Sequence, residues 1–304
     1  MRFSLILPAW KGKYLRDAIK AILAQTYTDF ELVIVDDCSP EDLKSTVSSF
    51  GDKRISYYRN EKNIGGKDLV SQWNHCLQYA KGDYVILATD DDLYEPEFLE
   101  EISKLIDKYP EVDLLRCRIL QIEDSGKILG MDGYFKEHMS FAEFVYYKRQ
   151  GLKSGIPQYV FKMGALIDAG GFVNFPHAWA SDDATAILMA KNGVGFCNKC
   201  LVKFRISSGI NITSDQRLMP SKTKAMLMYY QWLKGQLSTI KTVDEYTDYL
   251  YRNTVVTLSV SAKQMIMNQV GPTPFLLKMR CFSIIIKGKE FTLRDKLSII
   301  FRSL

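Results

Sequence analysis

The sequence predicts an α/β fold, a mostly parallel sheet flanked by helices with a helical C-terminal extension. Three observations carry this. Short apolar runs alternate with helical periodicity over residues 3–88, two of those runs end abruptly in clustered carboxylates, and beyond about residue 215 only helical spacing remains. Phe3–Leu7 (FSLIL) reads as a strand, and Leu15, Ala18, Ile19, Ile22 and Leu23 mark one face of the helix after it. Glu31–Val35 (ELVIV) is nearly continuous in apolar residues, as in a strand covered on both faces. Asp36-Asp37-Cys38-Ser39-Pro40 ends it and opens a second helix, and Ile55–Tyr58 is a third strand. A helix runs from about Lys67 to Ala80, Gly82 stops it, Tyr84–Ala88 forms a fourth strand, and another helix starts near Pro96. This order implies right-handed crossovers between parallel strands. Farther on, Ala184–Lys191, Ala225–Leu237 and Val243–Gln269 read as helices, and Pro272 and Pro274 interrupt the chain.

The 304 residues, 47% apolar and 25% charged, suffice for one globular domain with an appendage or for two, divided here as 1–215 and 216–304. The net charge of +5 is concentrated at one end: Lys278, Arg280, Lys287, Lys289, Arg294, Lys296 and Arg302 are opposed only by Glu290 and Asp295. The rest is near neutral, which disfavours a nucleic-acid groove. Met1-Arg2 leads straight into a short strand, unlike a secretory leader, and no run of about 18 apolar residues offers a membrane span. The expectation is a cytoplasmic protein whose six cysteines are reduced thiols. Cys197-x-x-Cys200 is half of a zinc pattern without its second half and reads as strand residues. His75 and His138 lack clustered partners and read as helix-face or surface residues. The tail segments FLLKMRCFSIIIKGK and LRDKLSIIFRSL mix aromatic, aliphatic and basic positions, a composition suited to an anionic membrane interface or to a helical subdomain with solvated lysines.

Chemistry concentrates at Tyr84–Pro96, YVILATDDDLYEP, where an apolar run meets Asp90, Asp91 and Asp92. A buried strand cannot continue through three carboxylates, so the acids belong at its carboxyl end, where open α/β sheets hold ligands. Parallel strands bring Asp36 and Asp37 to the same edge. Like charges gathered there repel unless a cation or hydrogen-bond donors compensate. Hard oxygen ligands suit Mg²⁺ or Mn²⁺ together with substrate phosphates, whereas the alternative is an acidic surface turn.

Residues 3–37 resemble the opening of the family 2 glycosyltransferases, and the resemblance continues through Asn63-Ile64-Gly65-Gly66, Ala80-Lys81-Gly82-Asp83-Tyr84, the aspartate cluster with Pro96, Gly170-Gly171-Phe172 and Ser181-Asp182-Asp183, ending near Arg205. It implies a GT-A fold, Rossmann-like in its sheet, and transfer of a sugar from a nucleoside diphosphate, expected here to be UDP, to a hydroxyl on a surface glycan. The resemblance places Pro8, Ala9, Trp10 and Asp37 at the nucleotide base, with Trp10 as a stacking surface or a core residue. Asp36 is expected to order its loop or cap a helix. Asp90 and Asp91 fall on the donor ribose and the metal if the alignment follows the strand, and Asp91 and Asp92 do so if it follows Pro96, which makes Asp91 common to both. Lys67 lies where relatives place a basic residue toward the nucleotide, although a solvated lysine reads as well. Arg205 is expected near the diphosphate, and Ser207 replaces the histidine of an Arg-x-His element that helps hold the metal. Asp183 is the implied general base of an inverting transfer, with Asp182 second or as the N-cap of the following helix. His177 and Trp179 are expected to flank the acceptor, a glycan or lipid-linked glycan, with peripheral contact at the cytoplasmic face of the inner membrane.

Two other enzyme or binding classes compete. A sugar nucleotidyltransferase needs a Gly-rich basic phosphate loop after the first strand, which Pro8-Ala9-Trp10-Lys11-Gly12 fits poorly. An inactive nucleotide-binding scaffold would keep the fold but has no need of the acids at 37, 90–92 and 182–183.

Overall fold

The computed structural model describes residues 1–207 and 215–304. Strands β1 (Phe3–Ala9), β2 (Phe30–Asp36), β3 (Ile55–Arg59) and β4 (Tyr84–Leu87) pair in parallel in the order β3-β2-β1-β4. Helices α1 (Leu15–Leu23), α2 (Leu43–Ser48) and α3 (Leu69–Leu77) make the crossovers. The sheet then continues through β5 (Leu93–Tyr94), β6 (Leu114–Ile122), β7 (Ile128–Met131), β8 (His138–Met139), β9 (Tyr159–Lys162) and β10 (Val194–Arg205). Its full order is β3-β2-β1-β4-β9-β6-β10-β5, with β7 on β6 and β8 on β10. Strand β9 runs antiparallel to both β4 and β6, so the parallel arrangement expected from the first half gives way to a mixed second half. Cys197 and Cys200 both lie in β10, at an irregularity in its pairing with β6.

Both faces of the sheet are covered. Phe3, Leu5, Leu7, Leu32, Ile34 and Ile86 meet α1, α2 and α4 (Phe98–Lys108) on one side. Ile6, Val33, Val35, Val85 and Leu87 face the other layer, with α3, α5 (Phe141–Arg149), α6 (Met163–Asp168) and α7 (Ser181–Met189). The alternation follows the two-residue period of a strand, and coverage on both sides explains the near-continuous apolar runs. Helices α8 (Met219–Leu237), α9 (Glu245–Val270), α10 (Phe275–Lys287) and α11 (Leu293–Ser303) join this second layer, because Met226, Leu233, Leu258, Ile285 and Ile299 belong to its core. The apolar core is therefore continuous across residue 215. None of the described helices is long and apolar enough to cross a membrane.

Local chemistry sets the boundaries. Asp68 accepts from the Ser71 N–H at 3.0 Å, which caps α3 and shortens it from the expected Lys67–Ala80. Pro220 sits in the first turn of α8, where its missing N–H costs nothing, and the helix begins six residues before Ala225. Gly82 precedes β4 with its N–H on Ser4 Oγ at 2.7 Å, and a Cβ there would lie 2.7 Å from the backbone of Phe3 and Ser4. That close approach locks the start of β4 against β1 and so fixes where the acids after β4 emerge.

Candidate active site

Three loops leave the carboxyl ends of β1, β2 and β4 and tie to one another through backbone groups. The Asp37 N–H donates to Ala9 O at 2.9 Å, and Ser39 Oγ donates to Trp10 O at 2.7 Å. Asp90 Oδ2 accepts from the Trp10 and Lys11 N–H groups at 3.1 and 2.9 Å. Asp36 is wholly buried and serves the loop, as expected: it accepts from the Ser39 N–H at 2.7 Å, from the Tyr57 hydroxyl and from Arg59. Asp37 holds the next turn. Its oxygens accept from Asn60 Nδ2 (2.7 Å), Asn63 Nδ2 (2.9 Å), Ile64 N (2.8 Å) and Gly65 N (2.7 Å). These four bonds occupy the acceptor directions of a carboxylate. Pro8 is half-buried, Ala9 is buried in β1, and Lys67 is exposed on the turn that Asp37 organises. The Trp10 side chain stands at the rim with 39% exposure, outside the core.

The three consecutive acids take three different roles. Asp92 is 1% exposed and points inward, accepting from the Arg205 N–H at 2.7 Å and from the Thr89 hydroxyl. It staples the loop to β10, and burial pushes its carboxyl well above the usual range. Both of its oxygens have protein partners. Asp91 remains half-buried at the cleft, and burial, followed by the charge of Asp90, pushes its carboxyl up to about 6. Burial also raises Asp90. Arg205, expected near the diphosphate, is 5% exposed and bridges structure: Nε donates to Asp91 O at 3.0 Å, Nη1 to Asp124 O at 3.2 Å, and the guanidinium lies 4.1 Å from the centre of the Tyr14 ring. Ser207 donates to Asp124, which also meets Lys13 at 3.3 Å. No group of three or more acids, histidines or cysteines among the described residues forms a metal cage. Hard carboxylate oxygens without a three-ligand cage suit a cation shared with a phosphate ligand better than a tight protein-only site.

Residues 170–183 form a second wall, tied to the first by the bond from Asn174 to Asp68. Gly170 and Gly171 have φ of 88° and 84°, and three non-glycine residues, His177, Ala178 and Ala180, have φ of 56°, 56° and 65°. Left-handed conformations cost such residues about 1–2 kcal/mol each, so surrounding contacts must hold them. Asn74 brackets Phe172, accepting from its N–H at 2.8 Å and donating to its carbonyl at 3.2 Å. Asn174 donates to Asp68 at 2.7 Å, which joins this wall to the cap of α3 beside the Asp37 turn. Ser181 Oγ accepts from the Phe175 N–H at 3.0 Å.

Helix α7 begins at Ser181, earlier than the expected Ala184, which corrects the N-cap reading of Asp182: the cap is Ala180, and Asp182 lies in the first turn. Burial, then the charge of Asp183, pushes the Asp182 carboxyl up to about 7. Asp183 ion-pairs with Lys148 of α5. His177 and Trp179 are half-buried in the strained turn, with Lys222 Nζ of α8 4.5 Å from the centre of the Trp179 ring. Phe175 meets Tyr229 and Trp232 of α8 edge-on, at 6.1 and 6.3 Å between ring centres. Sequence reasoning missed Lys148 and the α8 residues. Lys148 had a signal, because it continues the Phe141, Phe144, Val145 stripe of α5 by one turn. The α8 residues had none, since their contact with residues 175–179 is purely tertiary.

The raised Asp91 carboxyl makes a stability prediction. Its ordinary value is about 3.9, so the folded protein holds the proton more tightly than the unfolded chain, and stability is lost as pH rises from about 4 through about 6. Asp91→Asn removes that ionisation. In EDTA it should raise the melting midpoint at pH 7.5 by an amount worth about 1 kcal/mol, after allowing for the partly solvated side chain, with the gain vanishing near pH 4. A lower midpoint at pH 7.5 would show that the Asp91 charge is compensated in the fold.

Residues 4–161 match the sequence profile of glycosyl transferase family 2. An uncharacterized glycosyltransferase of Rickettsia typhi is 27% identical over 211 residues, covering 67% of this chain and 63% of its own length. The putative colanic acid biosynthesis glycosyl transferase WcaA of Escherichia coli is 36% identical over 99 residues, 32% of this chain and 34% of its own length. The chain thus spans less than two thirds of either relative. Staphylococcus aureus TarS 1–349, solved in complex with UDP-GlcNAc, superposes with a TM-score of 0.68 at 16% identity over 100% of this chain and 89% of that one, a likeness of fold. With more than half of its length inside the family profile and a GT-A sheet whose carboxyl edge gathers the family's acids, the chain belongs to glycosyl transferase family 2.

Proposed function

We propose that this chain transfers a sugar from a UDP-sugar to a hydroxyl of a growing surface glycan, with inversion at the anomeric carbon. The observation that carries the reading is the link between the two walls: Asp68, beside the Asp37 turn, accepts from Asn174, in the turn that leads into Asp182 and Asp183. That bond ties the first wall to the segment bearing the carboxylate pair, which supports a donor at one and a base at the other. TarS has been solved with UDP-GlcNAc, and WcaA is named for colanic acid, which supports a UDP donor and a glycan acceptor.

Trp10 offers its exposed ring to the base beside Pro8 and Ala9. Asp37 shapes the 63–66 turn that borders the base, and a base N–H would have to replace one of its four donors. Asp90 lies toward the ribose, and Lys67 offers a cation at the mouth. Mn²⁺ or Mg²⁺ would be held by Asp91 and the donor's phosphates, with Asp92 and Arg205 fixing the loop from behind. When bound, such an ion neutralises charge on the diphosphate. Asp183 takes the proton of the acceptor hydroxyl as its oxygen bonds to the anomeric carbon. The bond from that carbon to the diphosphate breaks, and the nucleoside diphosphate leaves with the electron pair. His177 and Trp179 border the acceptor.

Release of UDP from a panel of UDP-sugars, with and without candidate glycans, is the test. Asp183→Asn should lower kcat by about 10²–10⁴-fold while UDP affinity is retained. An unchanged kcat in Asp183→Asn would remove it from the base role, and UDP binding without turnover in wild type would favour an inactive scaffold.

The proposal extends to the membrane. Phe275, Leu276, Met279 and Ile286 of α10 are exposed, as are Leu293, Leu297 and Phe301 of α11. On each helix these outward apolar residues alternate with exposed basic ones, Arg280 and Lys287 on α10 and Arg294 and Arg302 on α11. Apolar side chains ringed by cations complement an anionic lipid surface, and each basic residue near it contributes about 1 kcal/mol. Vesicles containing phosphatidylglycerol should sediment the protein, neutral phosphatidylcholine vesicles should not, and Leu276→Asp with Phe301→Asp should abolish binding. Equal binding to both vesicle types, or none to either, contradicts this surface.

A further inference from the structure

Helix α5 turns Phe141, Phe144 and Val145 into the core, and Lys148 follows one turn later on the same stripe. A lysine there must find counter-charge, because an unpaired buried ammonium is costly. The side chain of Lys148 is 3% exposed, and its partner is Asp183, itself 27% exposed. Burial alone would lower the ammonium's pKa, but Asp183 and then Tyr159 outweigh it, and the net shift is upward. The contact uses Asp183 Oδ1. The charged and titratable groups facing this pair are Asp182 on α7, Tyr159 on β9 and Tyr229 on α8. Tyr159 Oη is itself bonded to Ser154 Oγ at 2.8 Å. Proton transfer from an acceptor hydroxyl to Asp183 has no formal need of this lysine, yet the fold buries one against the carboxylate from a segment 35 residues away.

Resting on the transfer reading above, we propose that Lys148 is a positioning residue for the general base: its ammonium holds Asp183 Oδ1 against α5 and leaves the other carboxylate oxygen for the acceptor hydroxyl. Asp182 gives the arrangement a way through the reaction. When Asp183 takes the proton, its own charge disappears, the repulsion on neighbouring Asp182 falls, and the buried ammonium still has a carboxylate beside it. Three groups on two helices thus keep Lys148 paired before and after the proton moves.

The test is kinetic, with the UDP-sugar that wild type turns over. In Lys148→Met, donor KM and UDP affinity should stay within about twofold. kcat should fall by roughly 10²-fold, as for a catalytic group displaced by about 1 Å. The acid limb of the kcat/KM profile should move upward by about one to three pH units, as expected when an adjacent cation is removed. Lys148→Arg should recover most of kcat and return the limb. Should the methionine variant fold poorly, Lys148→Gln keeps a donor to Oδ1 without the charge and must show the same shift of the limb. A merely structural lysine would change the melting midpoint and leave the limb where it is. Transfer by wild type with an unmoved acid limb in the uncharged variants overturns the role of Lys148, whereas absence of transfer in wild type with every donor overturns the proposed function.

Discussion

Carboxylates crowded at one edge of a sheet repel one another, and the loops of this protein are arranged around that repulsion. Parallel β1, β2 and β4 deliver Asp36, Asp37, Asp90, Asp91 and Asp92 to a single rim. Backbone N–H groups answer most of the charge: Ser39 for Asp36, Ile64 and Gly65 for Asp37, Trp10 and Lys11 for Asp90, Arg205 for Asp92. Each of these bonds also fixes a loop, so the electrostatic solution and the shape of the cleft are one arrangement. Asp91 is treated differently. Its carboxyl is displaced upward by burial and then by the charge of Asp90, which Thr89, Lys11 and Arg205 only partly offset. A charge left partly uncompensated at the mouth of a cleft costs stability and favours a cationic ligand.

The second wall stores its cost in the backbone. Three left-handed non-glycine residues lie between Phe175 and Ser181, and they persist because Asn74, Asn174 and the aromatic side chains of α8 hold the turn from three sides. The C-terminal helices accordingly do more than extend the fold. They share its core, and α8 braces the turn from which His177 and Trp179 project.

Much of this was legible in the sequence, for physical reasons that also mark where legibility stops. Apolar period and turn residues located the first four strands to within about two residues, and the abrupt change from Leu87 to Asp90 marked the cleft edge. Asp91 was common to both alignments, but that Asp92 turns inward was not legible, because it depends on the twist of the loop and on a donor, Arg205 N–H, that lies 113 residues away. Arg205 was placed beside the acids by its sequence position, but its bonds to the carbonyls of Asp91 and Asp124 were not legible, since a cation near acids reads the same whichever oxygens it meets. Lys148 was legible only as an interruption of an apolar stripe, a signal that requires a partner without naming one.

The central claim is that the acidic rim is a nucleoside diphosphate site completed by a cation. Calorimetric titration of UDP, GDP, dTDP and CMP into wild type and Asp91→Ala, with and without Mn²⁺, tests it most directly. The account predicts binding of UDP that strengthens with Mn²⁺ and loses that dependence in Asp91→Ala. Binding of none of these nucleotides, or UDP binding indifferent to both Mn²⁺ and the substitution, would contradict it and leave the aspartates as loop-ordering residues alone.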